Sequence, residues 1–179
     1  YGMTQVAIGD NLMIRPWIET LVRLNNSFIV KRGVSVRQML DVSRTLSAYI
    51  RHTINETKES IWIAQREGRA KDSNEGSVLK MLNMSGDKDI VSNLMELNIF
   101  PVAISYEYDP CDFLKAKEFQ MKRDDPEFVK SQRDDLLSME TGILNNKGRV
   151  HFTLTQPIND QLAALDKDME KNELVAAIA

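Results

Sequence analysis

Apolar and polar positions repeat with two different periods along this chain, and the switches between them outline strands and helices. Gln5 to Ile8 is a short apolar-leaning run closed by Gly9-Asp10, a strand and turn signal. Asn11 to Leu24 carries Leu12, Ile14, Trp17, Ile18, Leu21 and Val22, which predicts a short helix or two with Pro16 near a helix start. Phe28-Ile29-Val30 is a β-favouring run closed by Lys31-Arg32-Gly33. Ser35 and Gln38 have the spacing of a capping box. Behind them Val36, Met39, Leu40, Ser43, Leu46, Ile50 and Ile54 share one face of a long helix.

Ser60 to Ala64 reads as a strand that leads into a polar loop, Gln65 to Asp72. Val78 to Met84 and Ile90 to Leu97 read as short helices split by Ser85-Gly86-Asp87. Ile99 to Tyr106 is a nearly all-apolar strand. Asp112 to Met121 and Pro126 to Met139 read as charged helices, Arg149 to Leu154 as a strand, and Pro157 to Ile178 as a closing helix. Strands alternate with helices, and apolar strands with few polar breaks are typical of parallel sheets buried on both faces. The expectation is one α/β domain over residues 1–179, with a largely parallel central sheet flanked by helices.

A chain of 179 residues is long enough for one sizeable core. Its net charge of −3 argues against a general nucleic-acid binder, but leaves room for a local basic pocket. The single cysteine, Cys111, has no partner for an internal disulfide, which fits a cytoplasmic location. No apolar stretch is long and unbroken enough to span a bilayer.

Ligands of open α/β sheets bind at the carboxyl ends of the strands. Two such ends gather basic residues: Lys31 and Arg32 after the Phe28 strand, and Arg66, Arg69 and Lys71 after the Ile61 strand. Guanidinium groups bind phosphate through paired hydrogen bonds, and Gly68 allows close backbone approach. A phosphate-like anion is the natural ligand. The plainer alternative is a pair of solvated loops in which Arg and Glu neutralise each other.

These loops carry a family resemblance. Glu67-Gly68-Arg69 after a strand resembles the Pro-Glu-Gly-Thr-Arg block of glycerol-3-phosphate and lysophosphatidate acyltransferases. Phe28 to Arg32 resembles their upstream block, and Ile99 to Ile104 resembles a downstream apolar block containing Pro. The three occur in the family's order, and through a bacterial branch the likeness extends from about Val6 to His151. The chain departs from the pattern in places. Arg69 stands where the family has Thr, Ala70 where it has Arg, and Gln65-Arg66 where it has Phe-Pro. Asn26 stands near a frequent Gly.

The resemblance implies an acyltransferase-like fold. It implies transfer of an acyl group from acyl-CoA or acyl-carrier protein to a glycerol-phosphate-type or lysolipid hydroxyl. It requires no cofactor or metal, and suits peripheral contact with the cytoplasmic membrane face. Arg32 would hold the acceptor's phosphate, with Lys31 and Arg66 nearby. Glu67 and Gly68 would shape the same pocket, and Arg69 and Lys71 would help hold the anion.

The family's general base is a His-x-x-x-x-Asp motif upstream of the Phe28 block, because a hydroxyl needs activation to attack a thioester. This chain has only His52 and His151, and neither matches that motif or its place. The expectation is a fragment, inactive by itself, whose catalytic pair lies upstream of Tyr1. The alternative is a non-catalytic α/β module that binds a phosphorylated lipid or other anion.

His52 reads as a surface helix residue and His151 as a partly buried strand residue. The aspartates, among them Asp109, Asp112 and Asp134, read as helix starts and solvated faces. The Trp17 segment reads as core in preference to a membrane-surface face.

Overall fold

The computed structural model describes residues 3–10, 13, 16–31, 35–64, 76–166 and 168–179. The chain divides into two compact units: Tyr1–Ile99 with Pro157–Ala179, and Phe100–Gln156.

The first unit is built on β1 (Thr4–Gly9), β2 (Ser27–Val30) and β3 (Ser60–Trp62). They form a parallel sheet in the order β2-β1-β3. Val6 to Gly9 pair with Ser27 to Val30 on one side, and Thr4 to Val6 pair with Ser60 to Trp62 on the other. Helix α1 (Pro16–Leu24) joins β1 to β2, and α2 (Val36–Asn55) joins β2 to β3. Pro16 opens α1, where a missing N–H costs nothing. Asn26 bridges α1 and β2 with φ 51°, a left-handed turn that Asn tolerates and Gly would favour.

The first crossover runs from β1 to β2 and the second runs back from β2 past β1 to β3, so their right-handedness places α1 and α2 on opposite faces of the sheet. The burial agrees. Ile50 of α2 joins a core with Leu79, Leu82, Val91, Leu94, Leu162 and Leu174, whereas the buried Ile18 and Val22 of α1 lie outside that cluster. The capping box of α2 is formed: Ser35 Oγ accepts from the Gln38 amide, and Gln38 Oε1 accepts from the Ser35 amide. Its buried face differs from the expected stripe. Met39 and Leu40 are exposed, and Ser47, Ile50 and Thr53 are buried.

Around the core stand α3 (Ser77–Leu82), α4 (Ile90–Met95), α7 (Asn159–Ala163) and α8 (Lys171–Ile178). The long closing helix expected over 157–178 is two short ones. Asp166 turns the chain by accepting from the Asp168 amide, and Glu170 caps α8 by accepting from the amides of Asn172 and Glu173.

The connection between α3 and α4 is held by the buried Asn93. Its Nδ2 donates to Asn83 Oδ1 (2.7 Å) and to the Lys88 carbonyl (2.8 Å), and its Oδ1 accepts from the Lys88 amide (3.2 Å). Ser47 Oγ joins the same loop to α2 through the Leu82 carbonyl and Ser85. Arg51 pairs with Glu96 and donates to the Asn93 carbonyl. Glu96 also holds Lys88 protonated to higher pH than usual, chiefly through their hydrogen bond.

The second unit holds β4 (Val102–Tyr106), α5 (Asp112–Asp124), α6 (Gln132–Leu144) and β5 (Val150–Leu154). The strand at 102–106, expected in the central parallel sheet, instead pairs antiparallel with β5. The partners Val102–Leu154, Ile104–Phe152 and Tyr106–Val150 put apolar side chains on one face of a ribbon, and β5 is exposed along its whole length. An apolar run alone does not distinguish such a ribbon from a doubly covered strand. The far end of the ribbon is closed by Glu107. The Arg149 amide and then its guanidinium hold the Glu107 carboxyl below its ordinary range. Helix α6 starts later than the 126 expected, at a capping box of Ser131 and Asp134.

A methyl group added at Gly86 would fall on the carboxamide of Asn93, which its three hydrogen bonds keep from moving aside. Gly86→Ala should destabilise the first unit by about 2–3 kcal/mol. Gly142→Ala on α6 meets only Cys111 Sγ at an ordinary 3.6 Å, and should stabilise its helix by about 0.5–1 kcal/mol. Urea unfolding of the two variants measures both; destabilisation of the same size in each would refute the packing assigned to Asn93.

Candidate functional site

Parallel pairing to a common centre gives β2 and β3 the same direction, so both end on the carboxyl edge of the sheet. Their tips flank β1 and stand two strand spacings apart, about 10 Å. β1 ends on the same edge between them and leads through α1 to β2. Lys31 follows directly on β2 and is exposed. Ile63 and Ala64 continue from β3 toward the same edge. Arg32, Arg66, Glu67, Gly68, Arg69 and Lys71 lie outside the described residues. What the sheet contributes is the common edge from which both basic segments depart.

Beside the tip of β2 an open groove of about 330 Å³ runs between β2 and α2. Phe28, Val30, Val42, Leu46 and Tyr49 line it, with Lys31 the charged residue among its described walls. The Phe28 and Tyr49 rings meet at 5.1 Å with their planes 59° apart, a tilted aromatic contact. Tyr49 Oη donates to Gln5 Oε1, and Gln5 Nε2 donates to Glu59 Oε2 at 2.5 Å. One chain of polar contacts thus ties α2 to β1 and to the start of β3, and it fixes the aromatic wall of the groove. The groove is apolar along Phe28, Val30, Val42 and Leu46, and Lys31 adds a cation to its lining.

Of the residues around the groove, the sequence points by its chemistry to Lys31 but not to Tyr49, Gln5, Glu59, Val42 or Thr45. Phe28 and Tyr49 are distant in sequence, so only the parallel crossover brings them together. The signal that does mark the helix wall is spacing: Val42, Thr45, Leu46 and Tyr49 recur at the three- and four-residue intervals of one helical face.

Neither histidine is placed as a general base. His52 is exposed on α2, as expected, whereas His151 is exposed on β5 and not partly buried. Neither pairs with a carboxylate among the described residues. Cys111 is a buried free thiol that donates to the Ser138 carbonyl at 3.3 Å. Asp109 accepts from the Cys111 amide and pairs with Lys115, and Asp134 caps α6, so these carboxylates are engaged in local structure. Among the described residues no helix is long and apolar enough to cross a membrane. The Trp17 segment is core only in part: Ile18 and Val22 are buried, but Trp17 and Leu21 are exposed. Comparison of the chain with protein-family models, curated proteins and solved structures finds no match.

A bulkier side chain on the helix wall should fill the groove without disturbing the core. Val42→Trp should weaken binding of the fluorescent fatty acid cis-parinaric acid by about tenfold, since each methylene kept in water forfeits about 0.8 kcal/mol. Fluorescence titration against the parent chain measures it, and an unchanged affinity would place the probe elsewhere.

Proposed function

We propose that this chain is the acceptor-binding part of an O-acyltransferase that moves a fatty acyl group from acyl-CoA or acyl-carrier protein to a glycerol-phosphate-type or lysolipid hydroxyl. One observation carries the reading. The parallel sheet sends the Lys31 segment and the Ala64 segment to one edge, beside an apolar groove. An anion site next to an aliphatic site suits a molecule with a phosphate at one end and a hydrocarbon chain at the other. The ordered resemblance of the Phe28, Glu67 and Ile99 blocks to the glycerolipid acyltransferases supplies the reaction.

In this reading Arg32 and Arg69 hold the acceptor's phosphate, assisted by Lys31, Arg66 and Lys71, while Glu67 and Gly68 shape the pocket. Holding the phosphate orients the acceptor hydroxyl toward the thioester. A base takes the hydroxyl proton, the oxygen bonds to the acyl carbon, and the C–S bond breaks to release the thiol. Neither histidine of this chain supplies that base. The exposed setting of both favours a second reading for the chain taken alone, a module that binds a phosphorylated lipid without turnover.

Calorimetric titration with glycerol 3-phosphate and with lysophosphatidate should show saturable binding. Arg32→Ala should weaken it by about 1.5–3 kcal/mol, or tenfold to a hundredfold, as expected for a lost charged hydrogen bond. In the intact protein the same change should harm acceptor use more than acyl-donor use. Equal loss for both would remove Arg32 from the acceptor site. Acceptor-dependent release of CoA thiol by the intact protein separates transfer from binding alone, and its absence would leave only the second reading.

A further inference from the structure

Among the described residues the β4–β5 ribbon has no third strand. Two strands by themselves are marginal in water, and a ribbon gains stability from further strands or a packed helix. The second unit offers it little other support, since Cys111 is its one buried apolar residue among those described. β5 is exposed along its whole length, with Val150 42%, Phe152 61% and Leu154 68% in water.

The parity of the ladder identifies the open backbone groups. The Thr155 amide donates to the Pro101 carbonyl, and the Glu107 amide donates to the Arg149 carbonyl. Arg149, His151, Thr153 and Thr155 therefore bond inward to β4, and the amides and carbonyls of Val150, Phe152 and Leu154 point to the outer edge. Strand edges are commonly blocked by Pro, by Lys or by a bulge, and Val150–Leu154 has none of these.

The strand is also complementary to itself. Turned antiparallel about Phe152, it sets Phe152 opposite the same residue of a second copy, Val150 opposite Leu154, and His151 opposite Thr153. The apolar residues of both copies then share one face. Arg149 meets Thr155, so no like charges stand opposite each other. The open amides and carbonyls at Val150, Phe152 and Leu154 meet in register, as hydrogen-bonded pairs. The arrangement has two-fold symmetry and closes at two copies.

We infer that β5 is a dimerisation edge: two copies pair antiparallel about Phe152 and join their ribbons into one continuous sheet. The contact is of the small class used by transient associations, so its dissociation constant should be about 10–100 µM. Dimerisation by this edge is independent of the acyl-transfer reading.

Sedimentation equilibrium of the full chain should show monomer and dimer exchanging in that range. Phe152→Lys puts two like charges on the two-fold axis and should raise the dissociation constant about tenfold or more. Phe152 is exposed, so circular dichroism should stay unchanged. Replacing the exposed Leu21 and Leu24 of α1 with Ser should leave the dimer as it was. Cysteines read the register. In a Cys111→Ser background, a mixture of His151→Cys and Thr153→Cys chains should form a disulfide-linked heterodimer, because a non-hydrogen-bonded pair holds its Cα atoms about 4.5 Å apart, within disulfide reach. Either chain alone should cross-link far less. Both positions are exposed, so this arm reads the edge even if Phe152→Lys fails to fold. A chain that stays monomeric at all concentrations, a dimer that survives in folded Phe152→Lys or is lost in the α1 variant, or mixed cysteine chains that cross-link no better than either alone would each overturn the inference.

Discussion

The central position of β1, paired in parallel with both neighbours, is the constraint from which the rest of the first unit follows. Parallel neighbours cannot be joined by tight turns, so each connection must cross a face of the sheet. The crossover from β1 to β2 and the one that runs back from β2 past β1 to β3 go in opposite directions, and so must use opposite faces. That separates α1 from the face on which α2 shares a core with α3, α4, α7 and α8. The same pairing brings the ends of β2 and β3 to one edge. The chain therefore leaves β2 at Lys31 and β3 past Ala64 from the same edge, as a consequence of topology.

The asymmetry of the two faces has an energetic side. On the α2 face, burial is reinforced by paired polar groups: Ser47 on the Leu82 carbonyl, Arg51 on Glu96, and Asn93 on Asn83 and Lys88 through three hydrogen bonds. Buried polar groups are costly unless paired, so such a network favours one arrangement of the 83–89 loop over its competitors. On the α1 face two buried side chains hold the helix, and its outer stripe is left in water. The rigid face supports the groove, and the thin face exposes the apolar surface.

Local signals are legible in the sequence to the extent that they are chemically specific. The Ser35–Gln38 box, Pro16 at a helix start and the Gly9-Asp10 stop each correspond to observed structure, because a single side chain or a fixed φ determines each one. The Ser131–Asp134 box is a signal of the same kind, and it sets the start of α6 later than the apolar pattern does. Strand partners are not legible. Val102 to Tyr106 has the apolar density of a doubly buried strand, but its partner is chosen by cross-strand matching with Val150, Phe152 and Leu154, which are remote in sequence. The break between α7 and α8 is hidden for a related reason: Leu162, Leu165, Met169 and Val175 keep a helical rhythm across a turn that Asp166 and Glu170 impose through local hydrogen bonds. Of the candidate site, the sequence displays the cations but not the groove. Cations cluster along the chain, whereas Phe28 and Tyr49 meet only through the fold.

That difference bears on what the site can select. A basic loop by itself binds any phosphate, since charge and paired hydrogen bonds do not distinguish a lipid headgroup from a free anion. Selection needs a second feature at a fixed distance from the first, and on the proposed reading the groove supplies it, because its lining includes Lys31 at the tip of β2. Each methylene removed from water contributes about 0.8 kcal/mol, so even a short stretch of chain in the groove outweighs the contribution of one exposed ion pair. On the proposed reading, the cations orient the acceptor and the groove determines which acceptors stay. The Tyr49–Gln5–Glu59 contacts then matter to function although none of these residues is basic: they hold the aromatic wall against β1 and β3, and so fix its position relative to the strand edge from which the basic segments depart.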